Sequence, residues 1–145
     1  MGVDIFLTIV TSSVVEELMS RKVVTVESSN SAFDAAREIM NHDIGCVVVL
    51  GAKNEIAGMI TKGDILREVV MKKLDPLKVR AEQVMSHPVI TIGPHASLED
   101  ASKLMMENNL TKLPVTKGKE LAGIITSTDI VRGSRPRKIA NKDSI

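Results

Sequence analysis

The stretch Gly58-Met59-Ile60-Thr61-Lys62-Gly63-Asp64-Ile65 returns 65 residues later as Gly123-Ile124-Ile125-Thr126-Ser127-Thr128-Asp129-Ile130. Glu55, Ala57 and Arg67 recur with it as Glu120, Ala122 and Arg132. Upstream the offset is 66: Met19-Ser20 falls on Met85-Ser86, Thr25-Val26 on Thr91-Ile92, Asp34-Ala35 on Asp100-Ala101, and Met40 on Met106. So many coincidences in one order, with a single deletion, mean that one unit is written twice.

Each copy has the same pattern of elements. Residues 23–26 and 89–92 are short β-branched runs and are expected to be strands. Ser31 and Ser97 open helices, each with an aspartate three residues on, a variant of the capping box. Phe33, Ala36, Ile39 and Met40 recur at helical spacing in the first copy, as do Leu98, Ala101, Leu104 and Met105 in the second. The apolar runs 46–50 and 113–115 read as buried strands. Short polar links join them to 56–60 and 121–125, which predicts antiparallel hairpins. A second helix is expected from 62 to about 74 in the first copy, and from 127 to about 132 in the second.

The unit is therefore strand–helix–strand–strand–helix. At roughly 50 residues it is too small to bury a sufficient core alone, so the two copies should pack together. A link at 75–80 joins them. Residues 13–18 read as a leading helix with Ser13 and Glu16 in capping-box spacing, which places the first repeat at 13–74 and the second at 81–132. Residues 133–145 are a basic tail, expected to be a solvated, disordered end. Residues 1–12 have no counterpart.

Composition narrows the function. The 145 residues carry no Trp, no Tyr and two Phe, which argues against readers of nucleic acid built on stacking platforms. A single cysteine, Cys46, excludes an intramolecular disulfide and any multi-cysteine zinc site, and suits a reducing compartment. The apolar segment 5–10 is too short for a signal-peptide core, Phe6 stands where N-myristoylation requires Ser or Thr, and no apolar run reaches a membrane span. A cytoplasmic protein is expected. Net charge is +1, with the positive excess in 67–80 (+3) and 132–145 (+4).

The Thr-x-x-Asp element follows a strand and opens a helix, where backbone N–H groups and the helix dipole favour an anion. A threonine hydroxyl there can donate to a phosphate oxygen, and the aspartate can accept two hydrogen bonds from a ribose diol. The same spacing is also a plain capping box, and the two roles are compatible in part. Arg67 and Arg132, three residues past each aspartate, either pair with it along the helix or supply charge to a polyphosphate.

With these residues in order, twice, the chain resembles a tandem pair of CBS domains, the regulatory module that binds adenosine-containing ligands. The resemblance spans residues 13–132 and also rests on Leu113-Pro114-Val115, on Thr25 and Thr91, and on the two Met-Ser pairs. It implies an α+β fold of two tandem β-α-β-β-α CBS repeats packed into one pseudo-symmetric module. It implies ribose binding by Asp64 and Asp129 and phosphate binding by Thr61 and Thr126. Thr128 matches a family hydroxyl position where the first copy has Gly63, and Lys112 stands where the family contacts base or phosphate and the first copy has Cys46. The second motif is thus the more complete. The first copy's Val47-Val48-Val49 lacks the family's proline, so the two sites are expected to differ in ligand or affinity. Ligand contacts are accordingly assigned to Thr25, Thr61, Asp64, Thr91, Lys112, Leu113, Pro114, Thr126, Thr128, Asp129 and Arg132. Without nearby aromatics, adenine would sit in an aliphatic slot of Ile44, Val47, Leu110 and Leu113.

The expected function is sensing of an adenine nucleotide (AMP, ADP or ATP) or an S-adenosylmethionine-type compound, with no other cofactor, by a homodimer that modulates an unknown target protein. Catalysis is not expected. His42, His87 and His95 have no metal-ligand spacing, and His42 sits as a partner for a helix C-terminus. Cys46 and the eight methionines read as core and interface. Two rivals remain: binding of nucleic acid or an acidic partner through Lys72, Lys73, Lys78, Arg80, Arg135, Arg137 and Lys138, and a structural dimerisation module with no ligand.

Overall fold

The computed structural model describes residues 13–133. The basic tail beyond Gly133, with Arg135, Arg137 and Lys138, and the leading segment 1–12 lie outside the described residues.

The element order is α1 (Val15–Leu18), β1 (Thr25–Glu27), α2 (Ala32–Asn41), β2 (Cys46–Leu50), β3 (Ile56–Thr61), α3 (Lys62–Ile65), α4 (Ala81–Val84), α5 (Leu98–Asn108), β4 (Lys112–Lys117), β5 (Glu120–Thr126) and α6 (Ser127–Gly133). Helix α3 continues as a π-helical turn, Leu66–Val70, so the helix expected to reach residue 74 stops four residues earlier. Lys73 then takes a left-handed conformation (φ 57°), which ends the helical path. Ser31 caps α2 and Ser97 caps α5, each accepting from the N–H of the aspartate three residues on at 3.0 Å. The leading helix, expected over 13–18, spans Val15–Leu18, with its N-cap one residue later than expected. Its N-cap is Val14, whose N–H donates to Glu17 Oε1 at 2.9 Å. Ser13 stays outside the helix because its carbonyl accepts from Leu98 N–H.

In the first repeat β2 is the centre of a three-stranded sheet, parallel to β1 and antiparallel to β3. Burial on both faces explains its unbroken apolar run, Cys46 to Val49. In the second repeat β4 and β5 pair alone, and the strand expected at 89–92 is reduced to one bridge, Ile92 to Val115. The cause is Pro114. Val48 N–H donates to Val24 O in the first sheet, but the matching residue in the second is a proline with no N–H. Two bonds survive, Ile92 N–H to Pro114 O and Thr116 N–H to Ile92 O, too few for a ladder.

The repeats exchange their leading segments. Val15 and Met19 lie in the second core with Leu98, Leu113, Val115 and Ile125. Ala81 and Val84 lie in the first core with Val26, Ile39, Val47 and Ile60. The sequence boundary at residue 13 groups the leading helix with the first repeat, whereas in space it completes the second. Ser20 bridges Ile124 on β5, and Ser86 bridges Met59 on β3. Both repeated glycines now have a reason: Met85 packs against Gly58 and Met19 against Gly123, where any side chain would collide.

Candidate ligand site

Both Thr-x-x-Asp motifs form complete capping boxes. Thr61 N–H donates to Asp64 Oδ2 at 2.9 Å and Asp64 N–H returns to Thr61 Oγ1 at 3.1 Å. Thr126 and Asp129 repeat the two distances. The next N–H is engaged as well: Lys62 donates to Gly45 O and Ser127 to Thr111 O. The anion-binding N–H cluster expected at these helix starts is therefore largely consumed, which corrects the sequence expectation. Each threonine oxygen accepts its capping bond, and its own hydroxyl hydrogen remains free to donate outward.

Two clefts flank the junction of the repeats, and each takes its motif from one repeat and its wall from the other. The larger, about 310 Å³, brings Thr61, Asp64 and Arg67 to Val89, Ile90, Leu110 and Lys112. The smaller, about 150 Å³, brings Thr126 and Ile124 to Lys22, Val23, Val24, Ile44, Cys46 and again Lys112. The two sets correspond through the repeat: Leu110 matches Ile44, Val89 matches Val23, and Lys112 matches Cys46. Ranking the motifs by copy therefore does not rank the sites. The larger cleft uses the first motif together with the second repeat's lysine.

The electrostatics of the two aspartates differ. Asp64 is 4% exposed. Its Oδ1 accepts from Arg67 Nη2 at 2.9 Å and from Ser86 Oγ at 3.1 Å, and its Oδ2 holds Thr61 N–H. Three of about four lone-pair positions are used, so Asp64 cannot take both hydroxyls of a diol while these bonds stand. Asp129 is half-buried and only its Oδ2 is engaged among the described residues. Arg67 makes the intrahelical pair; Arg132 forms no ion pair among the described residues.

Lys112 is half-buried and borders both clefts, with its ammonium lying over Gly45, where a Cβ would collide with it. No ion pair is made by Lys112 among the described residues. Its counterpart Cys46 is 7% exposed in the first core sheet. Burial pushes the Cys46 thiol up from its ordinary value of 9.0; Lys112 lowers it in part and Asp64 adds to the rise. The thiolate is the reactive form. Cys46 is expected to resist iodoacetamide at pH 8 in the folded protein and to react at the free-thiol rate in urea. Equal rates in the two conditions would contradict this environment.

Several assigned residues lie elsewhere. Leu113 and Val47 are fully buried in opposite cores, and Pro114 is buried as well, so the aliphatic slot is not formed as expected; Ile44 and Leu110 face different clefts. Thr91 borders a shallow surface recess with Glu55 and Lys119, and Thr25, Thr128, Asp129 and Arg132 border neither cleft. The residues missed were Ser86, Val89 and Ile90. The repeated Met-Ser pair was the signal for Ser86, but its partner is 22 positions away in sequence. His42 caps α2 at its C-terminus and contacts Glu38 at 3.0 Å. No cluster of three or more metal-ligating side chains occurs, and no helix is long and apolar enough to cross a membrane, among the described residues.

Comparison with known proteins agrees with this architecture. An uncharacterised protein of Methanopyrus kandleri is 34% identical over 119 residues, covering 81% of this chain and 61% of that one, so this chain spans about three-fifths of that relative. A crystal structure of an uncharacterised conserved protein from Pyrococcus horikoshii superimposes with a TM-score of 0.77 at 28% identity, covering 88% and 96% of the two chains. A hexameric CBS-CP12 protein from bloom-forming cyanobacteria matches with a TM-score of 0.75 at 26% identity, covering 91% of this chain and 79% of that one. The sequence model of the CBS domain matches twice, over residues 15–71 and 81–135. With two matched repeats, interlocked cores and paired inter-repeat clefts, the chain belongs to the CBS-domain family as a tandem pair.

Proposed function

We propose that this CBS pair binds an adenosine compound, an adenine nucleotide or an S-adenosylmethionine-type ligand, between its repeats and reports occupancy to a partner protein. Tandem CBS domains are regulatory, often ligand-binding modules, and the finer reading rests on one observation. A cleft of about 310 Å³, in the size range of small-molecule sites, places a threonine donor from one repeat opposite a half-buried lysine of the other that makes no ion pair among the described residues. A ligand there touches both repeats, so it favours whichever arrangement of the two best fits it, and that shift is the signal. Apolar helix faces support assembly with a second copy: Met40 and Met106 are 72% and 80% exposed, and Leu66, Val70 and Met71 form another such face.

Calorimetric titration with AMP, ATP and S-adenosylmethionine is the test. A charge-assisted bond to phosphate contributes about 1.5–3 kcal/mol, so Lys112→Gln is expected to weaken AMP about tenfold or more while leaving adenosine unchanged. Asp129, which borders neither cleft, is the control: Asp129→Ala should bind AMP as the wild type does, and a weakened affinity in that variant would place the ligand at the second motif instead. Absence of heat and of thermal shift with every ligand would reject the sensor reading. Steeply salt-dependent binding of DNA or RNA in its place would support the basic-surface rival.

A further inference from the structure

The two motifs differ at three positions, Met59/Ile124, Lys62/Ser127 and Gly63/Thr128, and the last of these lies against an arginine. Gly63 lies under the Arg67 guanidinium: a Cβ on Gly63 would stand 3.0 Å from Nη1 and 3.5 Å from Cζ and Nη2. From this place Arg67 donates Nη2 to Asp64 Oδ1 at 2.9 Å and borders the larger cleft. One N–H is spent on Asp64, and the remaining N–H groups of the fork are available to an anion. Ser86 Oγ, on the same Asp64 oxygen at 3.1 Å, helps to offset the buried carboxylate that would otherwise repel it. In the second repeat Thr128 stands where Gly63 does and Arg132 where Arg67 does. There the arginine reaches neither Asp129 nor the smaller cleft, among the described residues.

We propose that Gly63 is the residue that assigns the phosphate-bearing ligand to the larger cleft, by leaving room for Arg67 to lie across Asp64 and face Lys112. A Cβ here already presses on Arg67 Nη1 at 3.0 Å, and the further methyl and hydroxyl of a threonine, which Thr128 carries in the other repeat, would crowd the guanidinium out of this place. Gly63 is a positioning residue: it acts through Arg67. The inference rests on the nucleotide reading of the clefts and adds which cleft takes the charge and why.

The experiment compares AMP, adenosine and inorganic pyrophosphate on the wild type, Gly63→Thr, Arg67→Gln and Thr128→Gly. Gly63→Thr is expected to fold, because Gly118 is the glycine with a left-handed backbone among the described residues and Gly63 is not. The expected result is AMP at least tenfold tighter than adenosine in the wild type, with the preference falling about tenfold in Gly63→Thr and in Arg67→Gln alike. Adenosine affinity should not move, which a merely structural defect would not allow. Thr128→Gly should strengthen a second, weaker AMP event. An unchanged AMP-to-adenosine ratio in Gly63→Thr overturns the inference and leaves the nucleotide reading intact. Should neither AMP nor adenosine bind the wild type, the nucleotide reading falls, and pyrophosphate decides alone. A pyrophosphate-induced rise in Tm that Gly63→Thr and Arg67→Gln both abolish sustains the role of Gly63, and its absence in the wild type or persistence in the variants overturns it.

Discussion

Asp64→Ala is expected to lower the unfolding free energy by about 2 kcal/mol, and Asp129→Ala by about 1 kcal/mol, although the two residues occupy matching positions in the repeat. Asp64 is buried and joins three groups: its own helix start at Thr61, the Arg67 fork, and Ser86 on the opposite repeat's leading segment. Removing the carboxylate strands the Thr61 N–H in a half-buried site, at a cost of about 1–3 kcal/mol, and frees the Ser86 hydroxyl, which is exposed and can bond water at a smaller loss. The Arg67 arm adds little, since its side chain is 68% exposed and water can replace the pair. Asp129 holds one capping bond in a half-buried place, so its loss is that of a cap. Urea unfolding of the two variants at pH 7 checks the contrast. Equal losses would mean that the Ser86–Asp64 link between repeats contributes nothing measurable.

The second large effect is expected at Gly123. A Cβ there would lie 2.7 Å from the Ser20 carbonyl oxygen and 2.7 Å from Met19 Sδ. The methionine can rotate; the carbonyl cannot, because Ser20 exchanges two backbone bonds with Ile124, each 2.9 Å. Gly123→Ala therefore has to lift the leading segment from β5, loosening both bonds and the seat of buried Met19. Overpacking of this kind costs about 1–3 kcal/mol before any lost hydrogen bond is counted, so a loss of about 3 kcal/mol is expected. Thermal or urea unfolding measures it. A change within about 0.5 kcal/mol, the range of an ordinary surface substitution, would show that the segment does not pack as described.

The duplication, the hairpins and the Ser31 and Ser97 caps were legible in the sequence because each depends on neighbours a few residues apart. The bare second sheet was legible in principle: Pro114 opposite a parallel strand forbids one rung of the ladder. The Ser13 cap was misplaced because a distant carbonyl bond, Leu98 N–H to Ser13 O, holds that residue extended. The slot of Val47 and Leu113 failed because strand alternation turned both side chains into the cores, and no local pattern says which face of a short buried run looks inward.

By itself, then, the sequence determined the repeat, the hairpins, the capping boxes at Ser31, Thr61 and Thr126, and the family, since all of these are carried by short-range periodicity and by residues that bond within one turn. Tertiary structure alone decided which repeat each leading helix completes, which motif faces which wall, and that Lys112 borders both clefts. The physical reason is that two near-identical units can pair their segments within a copy or across copies with the same local chemistry. Only the packed arrangement, with Met19 on Gly123 and Met85 on Gly58, selects the crossed pairing. The same packing turned two matching aspartates into unlike groups, one buried under Arg67 and Ser86 and one with an oxygen that makes no bond among the described residues.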